Sequence, residues 1–209
     1  MIVSFAISIF ISQALLSAEV VYIKGRVTRS AKQLNIGDKI KDGSIIETEK
    51  DSLAIISIDF SKVKIGPGSQ FKILHSDKKK TQLELTAGST FIQLVKNEMN
   101  KDHKLTLKTK TASMGVRGTQ FFTSYGKADA QDVWMCVNEG AVEVKSSEDK
   151  KPVLVKKGEG IRVTKNQTSN PRFLPWTAKL NWNFDPKTDV INKVNIEEAY
   201  HDLLDQDYD

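Results

Sequence analysis

Residues able to do chemistry are few and scattered in this chain of 209 residues. Its three histidines, His75, His103 and His201, and its one cysteine, Cys136, stand apart from one another. No HxH, HExxH or Cys/His spacing is present, so neither a transition-metal site nor a cofactor held through one is expected. Cys136 has no partner within the chain and lies in the apolar run Val133 to Val137, where it reads as a small core residue. Gly66-Pro67-Gly68-Ser69 resembles a phosphate-cradling loop only superficially. No Gly-Lys-Ser/Thr follows and no helix opens after it, so it reads as the turn before a strand at Phe71. There is no GxSxG, and the spacing of the carboxylates singles out no pair. The expectation is a protein with no catalytic residues and no cofactor.

Charge adds a second constraint. The net charge is +5, but all 31 basic residues and 20 of the 26 acidic ones fall between Glu19 and Lys193, a net +11, and the six remaining acids form the end of the chain. A basic β body invites comparison with single-strand binders, which pair a charged groove with stacked aromatics. Here most Phe lie in apolar runs, and Lys78 to Lys80 and Lys156 to Lys157 lie in turn signals, so nucleic acid is not expected as a partner. Residues 1–18 carry no charge and 13 apolar residues, fewer than the 20 or so that span a bilayer. They read as a signal peptide, cleaved after Ala18 or Ala14. Contact with a membrane is expected only through that segment if it is left uncleaved.

The elements that must carry any site are strands. All twelve glycines lie between Gly25 and Gly160, and short apolar runs recur there about every ten residues between turn signals. Candidates include Leu53 to Asp59, Gln82 to Thr86, Thr90 to Val95, Gln120 to Ser124, Val133 to Val137 and Ala141 to Lys145. About 12–14 short strands in one β-sandwich or roll are expected over residues 19–165, an all-β domain. In Leu53 to Phe60 and in Val133 to Val137 neither face is wholly polar, which marks central strands. Residues 166–209 form a different region. The string PRFLPWTAKLNWNFDP holds three of five Pro and two of three Trp; its prolines argue against a helix, and Leu180, Trp182 and Phe184 alternate like an edge strand. Phe173, Trp176, Trp182 and Phe184 are candidate partner contacts, with packing of the arm on its own domain as the alternative. Asn195 then caps one short amphipathic helix whose stripe is Ile196, Ala199, Tyr200, Leu203 and Leu204, flanked by acids suited to docking on a basic body.

The most unusual string is TASMGVRGTQF, residues 111–121. Gly115 and Gly118 bracket Val116 and Arg117, and Thr119 and Phe121 begin a strand. This suggests a tight backbone passage with one guanidinium held between small residues, where its donors satisfy several carbonyls. The string resembles the hallmark of the FecR-type domain, a periplasmic signalling-domain family. The resemblance runs in order through Gly25 and Val27, then Leu34, Gly37, Asp38, Ile40, Gly43, Ile46 and Thr48. It continues through Asp59, Ser61, Val63, Ile65, Pro67 and Ser69, then Gly88, the GVRGTxF motif, Val133, Val137, Gly140, Val142, Val144, Leu154 and Gly158. It covers about residues 20–164. Phe60 stands where the family commonly has Gly, which leaves the hairpin geometry there open.

The resemblance implies an exported, non-enzymatic β module that contacts an envelope protein in signalling or assembly, periplasmic or secreted. It assigns the motif residues Gly115, Val116, Arg117, Gly118, Thr119 and Phe121 mainly to the fold. Full regulators of the family place an anti-sigma segment and a membrane span before this domain, and only a signal-like stretch precedes it here. The alternative is an envelope glycan-binding or glycan-processing protein with Trp176 and Trp182 as sugar platforms.

Overall fold

The structure, a computed structural model, describes residues 18–188 except 96, 99, 127–130, 165 and 166. Most of the signal-like stretch and the acidic C-terminal helix read from the sequence lie outside the described residues.

The chain weaves between two sheets. It begins with β1 (Ala18–Lys24) in one sheet, crosses to β2 (Val27–Arg29) and β3 (Lys32–Gln33) in the other, and returns in β4 (Lys39–Ile40). It crosses again in β5 (Ile45–Thr48), returns in the hairpin β6 (Leu53–Ile58) and β7 (Ser61–Ile65), and crosses in β8 (Gln70–Ser76) to β9 (Lys80–Leu94). Then β10 (Lys104–Lys108) and β11 (Ala112–Val116) lie in one sheet, β12 (Gln120–Tyr125) and β13 (Val133–Glu139) in the other. The pattern repeats with β14 (Ala141–Ser146) and β15 (Val153–Lys156), followed by β16 (Glu159–Val163) and β17 (Arg172–Phe173). Among the described residues there are seventeen strands, more than the sequence suggested: β3, β4 and β17 have two residues each, β2 has three, and β11 runs into the motif that reads as a tight backbone passage.

The pairings give one sheet the order β4-β1-β6-β7-β9-β12-β13-β16-β17, antiparallel throughout. The other runs β3-β2-β5-β8-β9-β10-β11-β14-β15, with β9 and β10 parallel. Strand β9 belongs to both. Two strands were expected there, Gln82 to Thr86 and Thr90 to Val95; one strand of fifteen residues passes through, with Gly88 at a φ of 85° where it changes sheet. The main core lies between the sheets and takes alternate residues from each strand, among them Ile56, Phe71, Leu85, Ile92, Met114, Phe121, Met135 and Val144. At the β6–β7 turn Asp59 takes the positive φ of 48°, so Phe60 need not be Gly, and the Phe60 ring packs against the core.

A second, smaller core lies on the outer face of the first sheet. The residues Cys136, Phe122, Phe91 and Lys64 are in register across β13, β12, β9 and β7, and the C-terminal arm crosses them almost strand by strand. Leu174, Leu180 and Phe184 of the arm are buried here with Phe91, Phe122, Trp134 and Cys136. This explains why Val133 to Val137 has no polar face: Val133, Met135 and Val137 point to the main core, Trp134 and Cys136 to the second. The arm contains one turn of 3-10 helix, Pro175–Lys179, where the prolines had argued against any helix; Pro175 occupies its first position, which lacks no needed N–H. Leu180 to Phe184 keeps its alternation without strand pairing, because its carbonyls turn to a side chain. Lys64 Nζ donates to Asn181 O at 2.5 Å and to Asn183 O at 2.8 Å. Glycine at 160 is required by this packing: a Cβ would lie 2.1 Å from Leu174 Cδ1 and 2.9 Å from Met135 O.

Candidate functional site

The GVRGTxF motif joins the two sheets. Gly115 and Val116 end β11, Arg117 and Gly118 form the crossing, Thr119 leads into β12, and Phe121 enters the main core. Val116, Thr119 and Phe121 are buried. Gly118 has a φ of 62°, and Gly140, in the β13–β14 turn, packs on it so closely that a Cβ would sit 2.3 Å from Gly118 O. Thr119 O accepts from the Leu94 N–H at 2.9 Å, tying the crossing to the end of β9.

Arg117 behaves differently from its neighbours. Its side chain is exposed and, among the described residues, makes no hydrogen bond or ion pair. The expected clamp of a guanidinium on carbonyls is absent, because Gly118 and Gly140 bring the backbones together directly and leave no space between them. The side chain instead borders a groove of about 740 Å³ on the outer face of the second sheet.

The groove follows from register. Thr106, Gly115, Glu143 and Leu154 are paired in a row across β10, β11, β14 and β15, and all four line it. Gly115 makes the depression: it has no positive φ, and a Cβ there would meet Glu143 only at 3.9 Å. Lys101, Lys104 and Arg117 border the groove with Asp102 and Glu143, so its rim carries both signs. Leu154 is 48 % exposed and gives the row an apolar end. An open groove with charges of both signs and one apolar end suits a protein surface better than a small molecule, whose sites are enclosed.

Of the candidate partner contacts of the arm, Trp182 and Phe184 are gathered in the second core and Phe173 stands apart from them. Phe184 is buried and Trp182 half-buried, its ring edge-on to Phe91 with centroids 5.2 Å apart and its indole N–H donating to Thr177 O at 2.7 Å. Both are occupied by the domain itself. Phe173 alone of those described stands out, 73 % exposed; the side chain of Trp176 lies outside the described residues.

Three groupings were not legible in the sequence. Lys64 is fully buried, 4.6 Å from the Phe91 ring centroid and 5.2 Å from that of Phe184, and burial pulls its ammonium down to about 7. His103 is buried with Nε2 3.0 Å from Thr81 Oγ1, and Thr81 also donates to Asp59 Oδ2 at 3.1 Å. His75 stands between two acids, with Nδ1 3.1 Å from Asp42 Oδ2 and Nε2 2.9 Å from Asp77 Oδ2. The hydrogen bond from His75 and the N–H groups of Lys79 and Lys80 hold the Asp77 carboxyl well below the usual carboxylate range. Each grouping joins residues distant in the chain, Lys64 with Phe184, His103 with Thr81 and Asp59, and His75 with Asp42; only the His75–Asp77 spacing is short. Burial pushes the Cys136 thiol up to about 12, away from the thiolate that reactivity needs. Among the described residues no set of three His, Cys, Asp or Glu side chains could hold a metal ion, and no helix is long and apolar enough to cross a membrane.

A two-sheet β domain with a motif-built crossing and an open groove is what the geometry defines. Residues 44–143 match the family model described as FecR protein, the family whose motifs the sequence resembles. Two crystal structures of a proposed anti-sigma factor from Parabacteroides distasonis share the fold. One aligns with a TM-score of 0.54 at 19% identity over 76% of this chain and 72% of that one. The other gives 0.53 at 19% identity over 75% and 74%. At that identity the likeness is one of fold. No curated protein matches the chain.

Proposed function

We propose that the protein is an exported, non-enzymatic module of the bacterial cell envelope that binds a protein partner in signalling, through the groove beside Arg117. The carrying observation is that the most exposed side chain of the family motif is a guanidinium with no hydrogen bond or ion pair among the described residues, beside a row whose centre is glycine. A free guanidinium is well suited to a carboxylate on an approaching chain, which it meets with two parallel N–H donors. The match to the FecR family model and the fold shared with the proposed anti-sigma factor support a regulatory role. Export rests on the uncharged apolar stretch of residues 1–18, and places the module in the periplasm or outside the cell.

The test is capture of partners from envelope extracts by wild type, by Arg117→Ala and by Gly115→Leu, which fills the depression. Loss of the same captured protein with both variants, each still folded by circular dichroism, supports the reading. Equal capture by all three removes the groove from it. The glycan alternative needs Trp182 as an open platform, and the packing of Trp182 on Phe91 disfavours it.

A further inference from the structure

Among the described residues the second sheet ends at β15, which pairs with β14 and with no other strand. Lys156 N donates to Glu159 Oε2 at 2.7 Å, so its N–H points away from β14. Backbone groups alternate along a strand, and Leu154 therefore also turns its N–H and C=O outward. Pro152 has no N–H to give, which leaves Leu154 as the residue of this edge that offers both groups. Its side chain is 48 % exposed, whereas Val153 and Val155 pack toward the main core. On the outer face Leu154 is paired with Glu143, and the rows on either side of that pair are basic. Lys145 follows Val144, the partner of Val153; Lys156 is paired with Ala141, in the row that Arg117 enters after Val116. An open edge of this kind is a template for another strand.

We propose that β15 receives an extended segment of a protein partner as an added antiparallel strand, with acid, apolar residue and acid at alternate positions on its outer face. The inference rests on the reading of the groove as a partner surface and names how the partner enters it. The central residue of the segment exchanges both backbone hydrogen bonds with Leu154, and its side chain extends the apolar end of the groove. The acids two places before and after it face the row of Lys145 and the row of Lys156 and Arg117. The intervening residues lie beside Val153 and Val155 and are apolar. Charge selects this occupant over a second copy of the chain. Two β15 strands paired antiparallel about Leu154 would set Lys157 of each against Lys151 of the other, and like charges directly opposed destabilise a strand pair. Glu143, beside Leu154, likewise excludes an acid at the centre of the segment.

The test titrates the full chain with the synthetic peptide acetyl-Asp-Glu-Val-Leu-Val-Glu-Asp-amide and follows amide exchange by NMR. Exchange of the Leu154 amide should slow several-fold as the peptide binds. Affinity should fall about tenfold or more when the central leucine of the peptide is N-methylated, which removes its donor to Leu154. The same loss is expected with Leu154→Pro, which the fold tolerates because that N–H faces away from β14. A peptide with Lys in place of each acid should bind more weakly by a similar factor. No slowing at Leu154, full binding of the N-methylated peptide, or equal binding of the Lys peptide would each overturn the proposal. The N-methylated peptide is tested on wild type, so the result does not depend on whether the proline variant folds. Envelope capture lost with Arg117→Ala and Gly115→Leu but kept by folded Leu154→Pro would remove the edge and leave the groove. Capture kept by both groove variants, with the peptide still pairing at Leu154, would remove the groove and leave the edge.

Discussion

Lys64 Nζ donates to the carbonyl of Asn183 at 2.8 Å across 119 positions of chain, inside a space lined by two aromatic rings. A basic residue in the middle of a sheet face is thereby converted into the fastening of an arm. A neutral amine still has two N–H groups, which matches the two carbonyls facing it, so the fastening does not require the charge.

This gives a pH dependence of definite sign. The folded pKa of about 7 lies below that of an unfolded lysine, so the unfolded chain binds more protons between about pH 7 and 10 and stability rises with pH in that window. The slope is at most about 1.4 kcal/mol per pH unit. The unfolding free energy of wild type should therefore rise relative to that of Lys64→Met between pH 7 and 9. A constant difference would show that the buried amine does not titrate there.

The close contact of Gly160 with Leu174 predicts that Gly160→Val displaces the arm. The branched side chain meets Met135 O as well as Leu174, and overpacking of this kind costs about 1–3 kcal/mol. Trp182 fluorescence should shift to longer wavelength and thiol labelling of Cys136 should accelerate. In wild type the thiol should resist labelling at pH 8 until the protein unfolds.

Arg117→Ala and Gly140→Ala should separate sharply. The first removes an exposed side chain with no described partner and should change stability by less than about 0.5 kcal/mol. The second places a Cβ at a φ of 77° and 2.3 Å from Gly118 O, where backbone must move, and should lower the melting temperature by several degrees. A melting temperature for Arg117→Ala as low as that of Gly140→Ala would return the guanidinium to a structural role.

Asp77 should contribute to acid sensitivity. Its carboxyl is held well below the usual range by His75 and two backbone N–H groups, so its stabilisation is complete above the unfolded pKa near 3.9 and is lost as pH falls below it. Acid titration of Asp77→Asn should show a shallower loss of stability below pH 4 than wild type. Identical slopes would assign the acid response elsewhere.

How far the sequence could be read depends on the range of the interactions involved. Strands such as Leu53–Ile58 and Val133–Glu139 are legible because alternation is local, and their lack of a polar face correctly marks them as central. The motif is legible because its glycines stand next to Arg117. What the guanidinium does was not, since its freedom follows from Gly140, in another turn. Lys64 reads as one more surface lysine until Asn181, Asn183 and Phe184 are folded over it. The arm aromatics stayed open between two readings for the same reason: an apolar string with prolines looks alike whether it covers its own domain or awaits another.

The single strand β9 has a mechanical consequence. Its first half is held by β8 and β10 and its second by β7 and β12, so the two sheets share one beam instead of merely facing each other. A load applied at the groove would be carried along that beam to the face beneath the arm. Pulled from its ends, the domain should therefore rupture in one event, with no step in which one sheet survives the other.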